Sequence, residues 1–180
     1  SIVARCTEMR HPCESGFTLV ELVVILIVTG ILAVAVVPRF FGNEFEERGF
    51  HDGIKAALQH ARHMAVSSRR FVCVTNTNGT GPAATAVVTM DTRVPEGNEG
   101  NNVVCAVGGN TVAIDLPAPR AGCATNAVCA PNGVALGGGS VIFDPLGRSV
   151  TAAKGLAAVA TLTVSNEANI TVQPETGWVQ

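Results

Sequence analysis

The feature that most constrains this chain is an apolar run near its N-terminus, from residue 17 to residue 37. Its 21 residues just reach the roughly 20 that a transmembrane helix needs. The run contains one carboxylate, Glu21, and follows a polar segment of residues 1–16. Since an ionisable group in a bilayer costs roughly 2.5 to 3.5 kcal/mol on insertion scales, the position of Glu21 requires an explanation.

Two ordinary interpretations of this run are open on its residues alone. As an anchor, it would leave residues 1–16, with Arg5 and Arg10, on the cytoplasmic side and the rest of the chain outside. As a secretory signal peptide, it would be cut after the A-x-A-like sequence Ala33-Val34-Ala35. Neither interpretation explains Glu21, because a carboxylate at the entry to the apolar region opposes insertion. An assembly element, in which the carboxylate binds a partner, would explain it.

The sequence Gly16-Phe17-Thr18-Leu19-Val20-Glu21, followed by an apolar stretch and Pro38, resembles the processing site of type IV prepilins and type II secretion pseudopilins. The resemblance implies cleavage by a prepilin peptidase between Gly16 and Phe17, and N-methylation of the new Phe17 amine. It also implies that Glu21 pairs with the N-terminal amine of Phe17 on a neighbouring subunit.

The same resemblance implies where the chain resides and what it meets. Residues 1–16 would be a prepilin leader. The mature chain would cross the bacterial inner membrane once, with its C-terminal domain in the periplasm, before it enters a filament. Its partners would be other pilin or pseudopilin subunits, the prepilin peptidase, an inner-membrane assembly platform and membrane lipid.

Helical periodicity continues beyond Pro38. Apolar residues with the spacing of one helix face are Phe50, Ile54, Ala57, Leu58, Ala61, Met64 and Ala65. The polar face carries Asp52, Lys55, Gln59, Arg62, His63 and Arg69. We therefore expect a transmembrane or assembly helix over residues 17–41 and an amphipathic helix over residues 42–70. The helix-breaking residues Gly30, Pro38, Gly42 and Gly49 mark expected kinks or local melting.

From Phe71 onward the pattern changes to short strands separated by turn residues. We expect strands at residues 71–75, 85–90, 103–107, 111–116, 141–143, 160–164 and 170–172. Residues 76–79 predict a turn, Asp144-Pro145-Leu146-Gly147 fits a type I turn, and residues 117–139 predict a long loop. The expected fold is α+β and pilin-like: a long N-terminal α-helix, with a membrane half and an amphipathic half, packed on an antiparallel β-sheet domain of residues 71–180.

Four cysteines follow the apolar run: Cys73, Cys105, Cys123 and Cys129. In an oxidising compartment they can form two bridges, and four cysteines permit three pairings. We favour Cys123 with Cys129, which closes a short loop, and Cys73 with Cys105, which joins two expected strands. A zinc site is disfavoured because the sequence has no CxxC.

A narrower resemblance involves the C-terminal half. Phe143-Asp144-Pro145-Leu146-Gly147-Arg148, followed by residues 170–172 and 175–179, is similar to the end of the GspH/FimT group of minor pilins and pseudopilins. Residues 57–66 also resemble that group, and in particular minor pilins of mannose-sensitive haemagglutinin pili. This implies a subunit of a type IV pilus or a type II secretion pseudopilus. Some members of the group bind DNA during natural transformation, so a DNA-binding minor pilin is the alternative.

Charge and motifs disfavour other functions. A net charge of −2 with 14% charged residues gives no overall attraction to nucleic acid. The adjacent basic pair Arg69-Arg70 fits a helix C-terminus, so we expect no DNA binding. His60 and His63 have a spacing that can share a metal, but acidic or thiol neighbours are missing on that side; we expect no metal and no cofactor. The sequence has no GxSxG, Walker or HExxH motif, and we expect no enzymatic activity.

Overall fold

The computed structural model describes residues 18–40, 43–96, 100–106, 108 and 110–180, with the side chains of residues 34–40 and 43 left undescribed. The chain divides between residues 41 and 42 into two compact units. The first contains helix α1, Leu19–Phe40. The second contains helix α2, Asn43–Ser68, and then the strands of the β-domain. Both helices continue through predicted breakers, since Gly30 and Pro38 lie inside α1 and Gly49 lies inside α2; Gly42 lies outside the described residues.

The strands form two antiparallel sheets. In chain order they are β1 Val72–Thr77, β2 Gly79–Thr80, β3 Thr85–Asp91, β4 Thr111–Ala113, β5 Ala127–Cys129, β6 Ala135–Gly138, β7 Val141–Phe143, β8 Ser149–Val150, β9 Ala160–Val164 and β10 Ile170–Val172. The first sheet has the order β4-β3-β1-β7-β8, with β5 also paired to β3, and the second has the order β10-β9-β6-β2. An N-terminal helix followed by an antiparallel β-domain confirms the predicted α+β class.

Helix α2 packs on both sheets through the face that its periodicity predicts. Buried residues on this face are Phe50, Ile54, Ala57, Leu58, Ala61 and Ala65, and the partly buried Met64 packs against the same core. Burying one Leu or Ile side chain contributes about 1.5–3 kcal/mol, so this face holds the helix on the β-domain. On the polar face, Lys55 and Arg62 are only half exposed, and the Arg62 Nε donates a hydrogen bond to the Gly147 carbonyl at 3.2 Å.

Strand β1 shows how the first sheet is covered on both faces. Val72 and Val74 contact the main core under α2, whereas Phe71 and Cys73 contact a smaller cluster that includes Val103. This follows from the alternation of side chains along a strand. The segment around Val103 therefore covers the face of the sheet opposite α2.

Most strand predictions in the β-domain are confirmed, but several are wrong. β1 pairs with β3, β9 pairs with β10, and the Gly147 N–H donates to the Asp144 carbonyl at 2.8 Å in the predicted turn. The described residues of segment 103–107 form no strand, and segment 111–116 is a strand only at Thr111–Ala113. The predicted turn at residues 76–79 is instead the end of β1 and the start of β2, and the predicted loop 117–139 contains β5 and β6.

The missed strands consist largely of small residues, which have weak strand propensity of their own. In β6, Gly138 has φ +118°, and a Cβ on it would lie 2.8 Å from the Leu162 Cα of β9. β6 is a strand because it pairs closely with β9, and only glycine permits that approach. Composition therefore indicated a loop where tertiary pairing forms a strand.

Candidate assembly segment

Helix α1 begins with a side-chain cap. The Glu21 N–H donates to the Thr18 Oγ1 at 3.2 Å, and the Leu22 N–H donates to the Thr18 carbonyl at 3.1 Å. Thr18 is therefore the N-cap and Glu21 the N3 residue of a Thr-x-x-Glu sequence, which is the pattern of a capping box. Thr18 was not among the predicted functional residues, although this pattern ahead of an apolar run is a recognised helix-start signal.

The carboxylate of Glu21 is exposed and, within the described part of the chain, has no hydrogen-bond or ion-pair partner. Its position in the first turn is favourable for a negative charge, because the unpaired N–H groups there form the positive end of the helix dipole. The cap uses only the backbone N–H of Glu21, so the side chain can still bind another group. Gly16 and Phe17, the predicted processing site, lie outside the described residues.

The described side chains of α1 form an apolar surface on every side of the helix. The large apolar residues between Leu19 and Leu32 are 45–81% exposed. The Thr29 hydroxyl donates to the Ile25 carbonyl at 2.7 Å, so this polar group is satisfied within the helix. A helix that is apolar all round requires cover from protein or lipid.

In the ranges that the structure describes, no helix meets the combined length and apolarity of a membrane span.

Two disulfides stabilise the β-domain. Cys73, in β1, is joined to Cys105, with their Cα atoms 5.5 Å apart. Cys123 is joined to Cys129 at the end of β5, with a Cα separation of 5.9 Å. The first bridge lies in the smaller cluster and fixes the covering segment to the sheet, and the second closes a short loop. Cys6 and Cys13 lie outside the described residues.

A buried carboxylate, Asp91 at the end of β3, fixes the same covering segment. It accepts hydrogen bonds from the Arg93 Nε at 2.9 Å and from the Val104 N–H at 3.1 Å, and Arg93 also donates to the Asn102 carbonyl at 2.7 Å. Burial alone would raise the pKa of Asp91, but the bonds from Arg93 and Val104 outweigh burial and lower its pKa overall. The Asp91 side chain thus stays ionised. It connects β3 to Arg93, which precedes residues 97–99, and to Val104, which follows them.

Of the residues considered for DNA or metal binding, Arg70 has a hydrogen bond within the β-domain. Arg69, directly after the last residue of α2, has φ +52°, and the Arg70 guanidinium donates to the Thr92 carbonyl. His60 is half-buried and His63 is exposed. Within the described ranges, no cluster of three or more His, Cys, Asp or Glu residues could hold a metal.

Comparison with known proteins gives one match, at the N-terminus. Residues 12–37 match the family model described as the prokaryotic N-terminal methylation motif. No curated protein and no solved structure matches the chain. The match includes Gly16, Phe17 and Glu21 and ends within α1, so the narrower similarity to the GspH/FimT group stays a prediction. The motif supports a type IV pilin-like protein.

Proposed function

We propose that this chain is a minor pilin or pseudopilin subunit that joins a type IV pilus or a type II secretion pseudopilus through its N-terminal helix. The observation that carries the proposal is the methylation motif over residues 12–37, which overlaps a helix whose described apolar side chains are exposed on all sides. Such a helix is stable only when other molecules cover it. Neighbouring subunits and membrane lipid supply that cover.

In this proposal, prepilin peptidase cuts between Gly16 and Phe17, and the new Phe17 amine is N-methylated. Glu21 then pairs with the Phe17 amine of the neighbouring subunit. The pairing is favourable because an unpaired carboxylate in a low-dielectric layer has an unfavourable free energy. An opposite charge in the same layer offsets it. The exposed Glu21 carboxylate at the start of α1 supports this role.

Before assembly, the subunit resides in the inner membrane as a single-pass protein with its β-domain in the periplasm. The two disulfides support this location, because such bonds form and persist in oxidising compartments. The assembly platform in the same membrane then transfers the subunit to the filament. The role is structural rather than enzymatic.

The test is the intact mass and N-terminal sequence of the chain recovered from membranes of cells with a working assembly system. We expect a chain that begins at N-methylated Phe17. A chain that begins at Val36 would show signal-peptidase cleavage, and an uncut chain would show a simple anchor; both contradict the proposal. As a control, Gly16→Trp places a bulky residue at the cut and should leave the chain unprocessed.

A further inference from the structure

The globular unit contains an apolar groove of about 650 Å³, a size typical of binding clefts. One wall is the first half of α2, with Phe45, Gly49, Gly53 and Ala56 among its lining residues. The other wall is formed by residues 116–129, including Val128 and Cys129. The groove thus lies beside the Cys123–Cys129 loop and within one compact unit.

Two glycines one helical turn apart, Gly49 and Gly53, lie in the α2 wall of this groove. A Cβ on Gly53 would meet the Val128 Cγ1 at 3.3 Å, so packing within the unit explains this glycine. A Cβ on Gly49 would meet nothing within 4 Å. Glycine is, after proline, the least favourable residue in a helix interior, and nothing in the described fold requires it at position 49. Small residues at this spacing permit a second helix to approach closely.

The charges around the groove restrict what it can bind. Glu46 and Arg120 form an ion pair at 2.6 Å on its edge, so these two charges are already neutralised. The remaining walls are mainly apolar, and burying an unpaired charge against them would be unfavourable. These walls therefore favour an uncharged apolar segment as the occupant.

Helix α1 has this character. Its charged residues are Glu21 in the first turn and Arg39 near the end, and residues 22–38 carry no charge. Its described apolar side chains are exposed. Asp52, also on the edge of the groove and with a side chain 81% exposed, has the charge that complements Arg39.

We infer that the groove binds the apolar helix α1 of a second copy of this chain. The inference rests on the proposed function, because it names the surface that the assembly helix meets on its neighbour. Every copy carries one helix and one groove, which are different surfaces. A contact between two different surfaces is heterologous, and when its rotation does not close into a ring it generates an open filament. The contact between helix α1 and the groove would therefore recur between each subunit and the next.

The test uses two differently tagged full-length copies in cells with a working assembly system. One copy carries Leu26→Cys, Ile27→Cys or Val28→Cys, one at a time, to sample the faces of α1. The other carries Ala56→Cys in the groove or, as a matched control, Gln59→Cys, which is exposed on α2 outside the groove. After oxidation of intact filaments, we expect at least one α1 position to give about tenfold more doubly tagged dimer with Ala56→Cys than with Gln59→Cys.

Other cross-linking results would overturn the inference. Equal dimer from both α2 positions would show that the groove is not the binding surface. A cross-link from Ala56→Cys only to a subunit of different mass would show that the occupant is not a second copy. No cross-link from a chain that begins at Phe17 and is present in filaments would reject the groove and leave the proposed function intact.

A second variant tests the same groove without cross-linking. Gly49→Leu adds a bulky side chain to the α2 wall of the groove, and its Cβ has open space, so the unit should fold with an unchanged or higher melting temperature. We expect filament incorporation to fall about tenfold, with a smaller loss in Gly49→Ala. Normal incorporation of folded Gly49→Leu would overturn the inference. An unmodified chain that does not begin at Phe17 would instead contradict the proposed function.

Discussion

The Glu21 backbone N–H donates to the Thr18 Oγ1 at 3.2 Å, so the residue that carries the proposed docking carboxylate also completes the cap of α1. The two roles use different atoms. The cap needs the N–H of residue 21, which any residue except proline supplies, whereas docking needs the charge on its side chain. The roles can therefore be separated by mutation.

Glu21→Gln should abolish docking while the helix start is retained. Gln also suits the N3 position of a capping box, so the melting temperature of the β-domain and the cleavage at Phe17 should be unchanged. Incorporation into filaments should fall strongly, because the Phe17 amine of the neighbour loses its counter-charge. The measurement is the ratio of filament-bound to membrane-bound chain on immunoblots.

Thr18→Ala is the matched control for that change. It removes the cap, which contributes about 1 kcal/mol to a helix, but retains the carboxylate. Its incorporation should fall less than that of Glu21→Gln. If Glu21→Gln entered filaments like the unmodified chain, the docking role of the carboxylate would be wrong.

Asp91 should make the stability of the β-domain sensitive to acid. Its pKa is lower in the folded chain than in the unfolded chain, so its stabilising contribution is present above the unfolded pKa of about 4 and is lost as the pH falls toward the folded pKa. Asp91→Asn should lower the free energy of unfolding at pH 7 by about 1–3 kcal/mol, because the groups that donate to the carboxylate lose their charged acceptor. Its stability should depend less on pH below about 4.

Chemical denaturation of both chains between pH 2.5 and 7 measures this effect. Asp52→Asn, at an exposed position, is the control and should change the free energy of unfolding by less than about 0.5 kcal/mol. Parallel pH profiles for the unmodified chain and Asp91→Asn would show that Asp91 does not contribute to the acid sensitivity.

The sequence predicted those elements whose local pattern and tertiary role agree. The apolar spacing around Ile54 and Leu58 predicted the buried face of α2 because both residues occupy the core that the spacing implies. β6 was missed because its pairing with β9 depends on residues distant in the chain, such as Leu162. The role of Asp91 could not be predicted either, since its partner Val104 is 13 residues away and meets it only in the tertiary structure.

The candidate sites also differ in whether the sequence alone could predict them. The motif around Gly16 and Glu21 is contiguous, so it could be read directly from the sequence. The groove could not, because Gly49 and Val128 come from segments that only the fold brings together. Four cysteines permit three pairings. The short separation of Cys123 and Cys129 favoured one of them from the sequence, whereas the packing of Cys105 against β1 is visible only in the fold.

Reduction should destabilise the β-domain, and the two disulfides should contribute unequally. The loop-closure entropy of the unfolded chain is larger for the bridge with the longer separation, 32 residues for Cys73–Cys105 against 6 for Cys123–Cys129. The chain-entropy relation gives about 4 kcal/mol for the first bridge and about 2 kcal/mol for the second. We expect a larger drop in melting temperature for Cys73→Ala/Cys105→Ala than for Cys123→Ser/Cys129→Ser.

Thermal unfolding of each double variant, with and without a reductant, checks this order. The reductant should have no further effect on a variant that lacks both bridges, which serves as the control. Superimposable melting curves for the oxidised and reduced unmodified chain would show that neither bridge contributes to stability.

Two glycine substitutions of the same size should have opposite effects on stability. Gly49→Ala adds a methyl group where nothing lies within 4 Å and removes a glycine from a helix interior, so it should raise the free energy of unfolding by up to about 1 kcal/mol. Gly177 has φ +61°, and a Cβ there would collide with the Gly147 carbonyl. Gly177→Ala should therefore lower the free energy of unfolding by about 2 kcal/mol or more, from backbone strain and displacement of that turn.

Denaturant unfolding of the two variants beside the unmodified chain measures both changes. Gly147 also accepts the hydrogen bond from Arg62, so displacement of its carbonyl in Gly177→Ala should weaken the attachment of α2 to the β7–β8 turn. Arg62→Lys in the Gly177→Ala background should then cost less than Arg62→Lys alone, because the contact is already disturbed. Additive effects of the two substitutions would show that the Gly147 carbonyl does not couple the helix to the C-terminal segment.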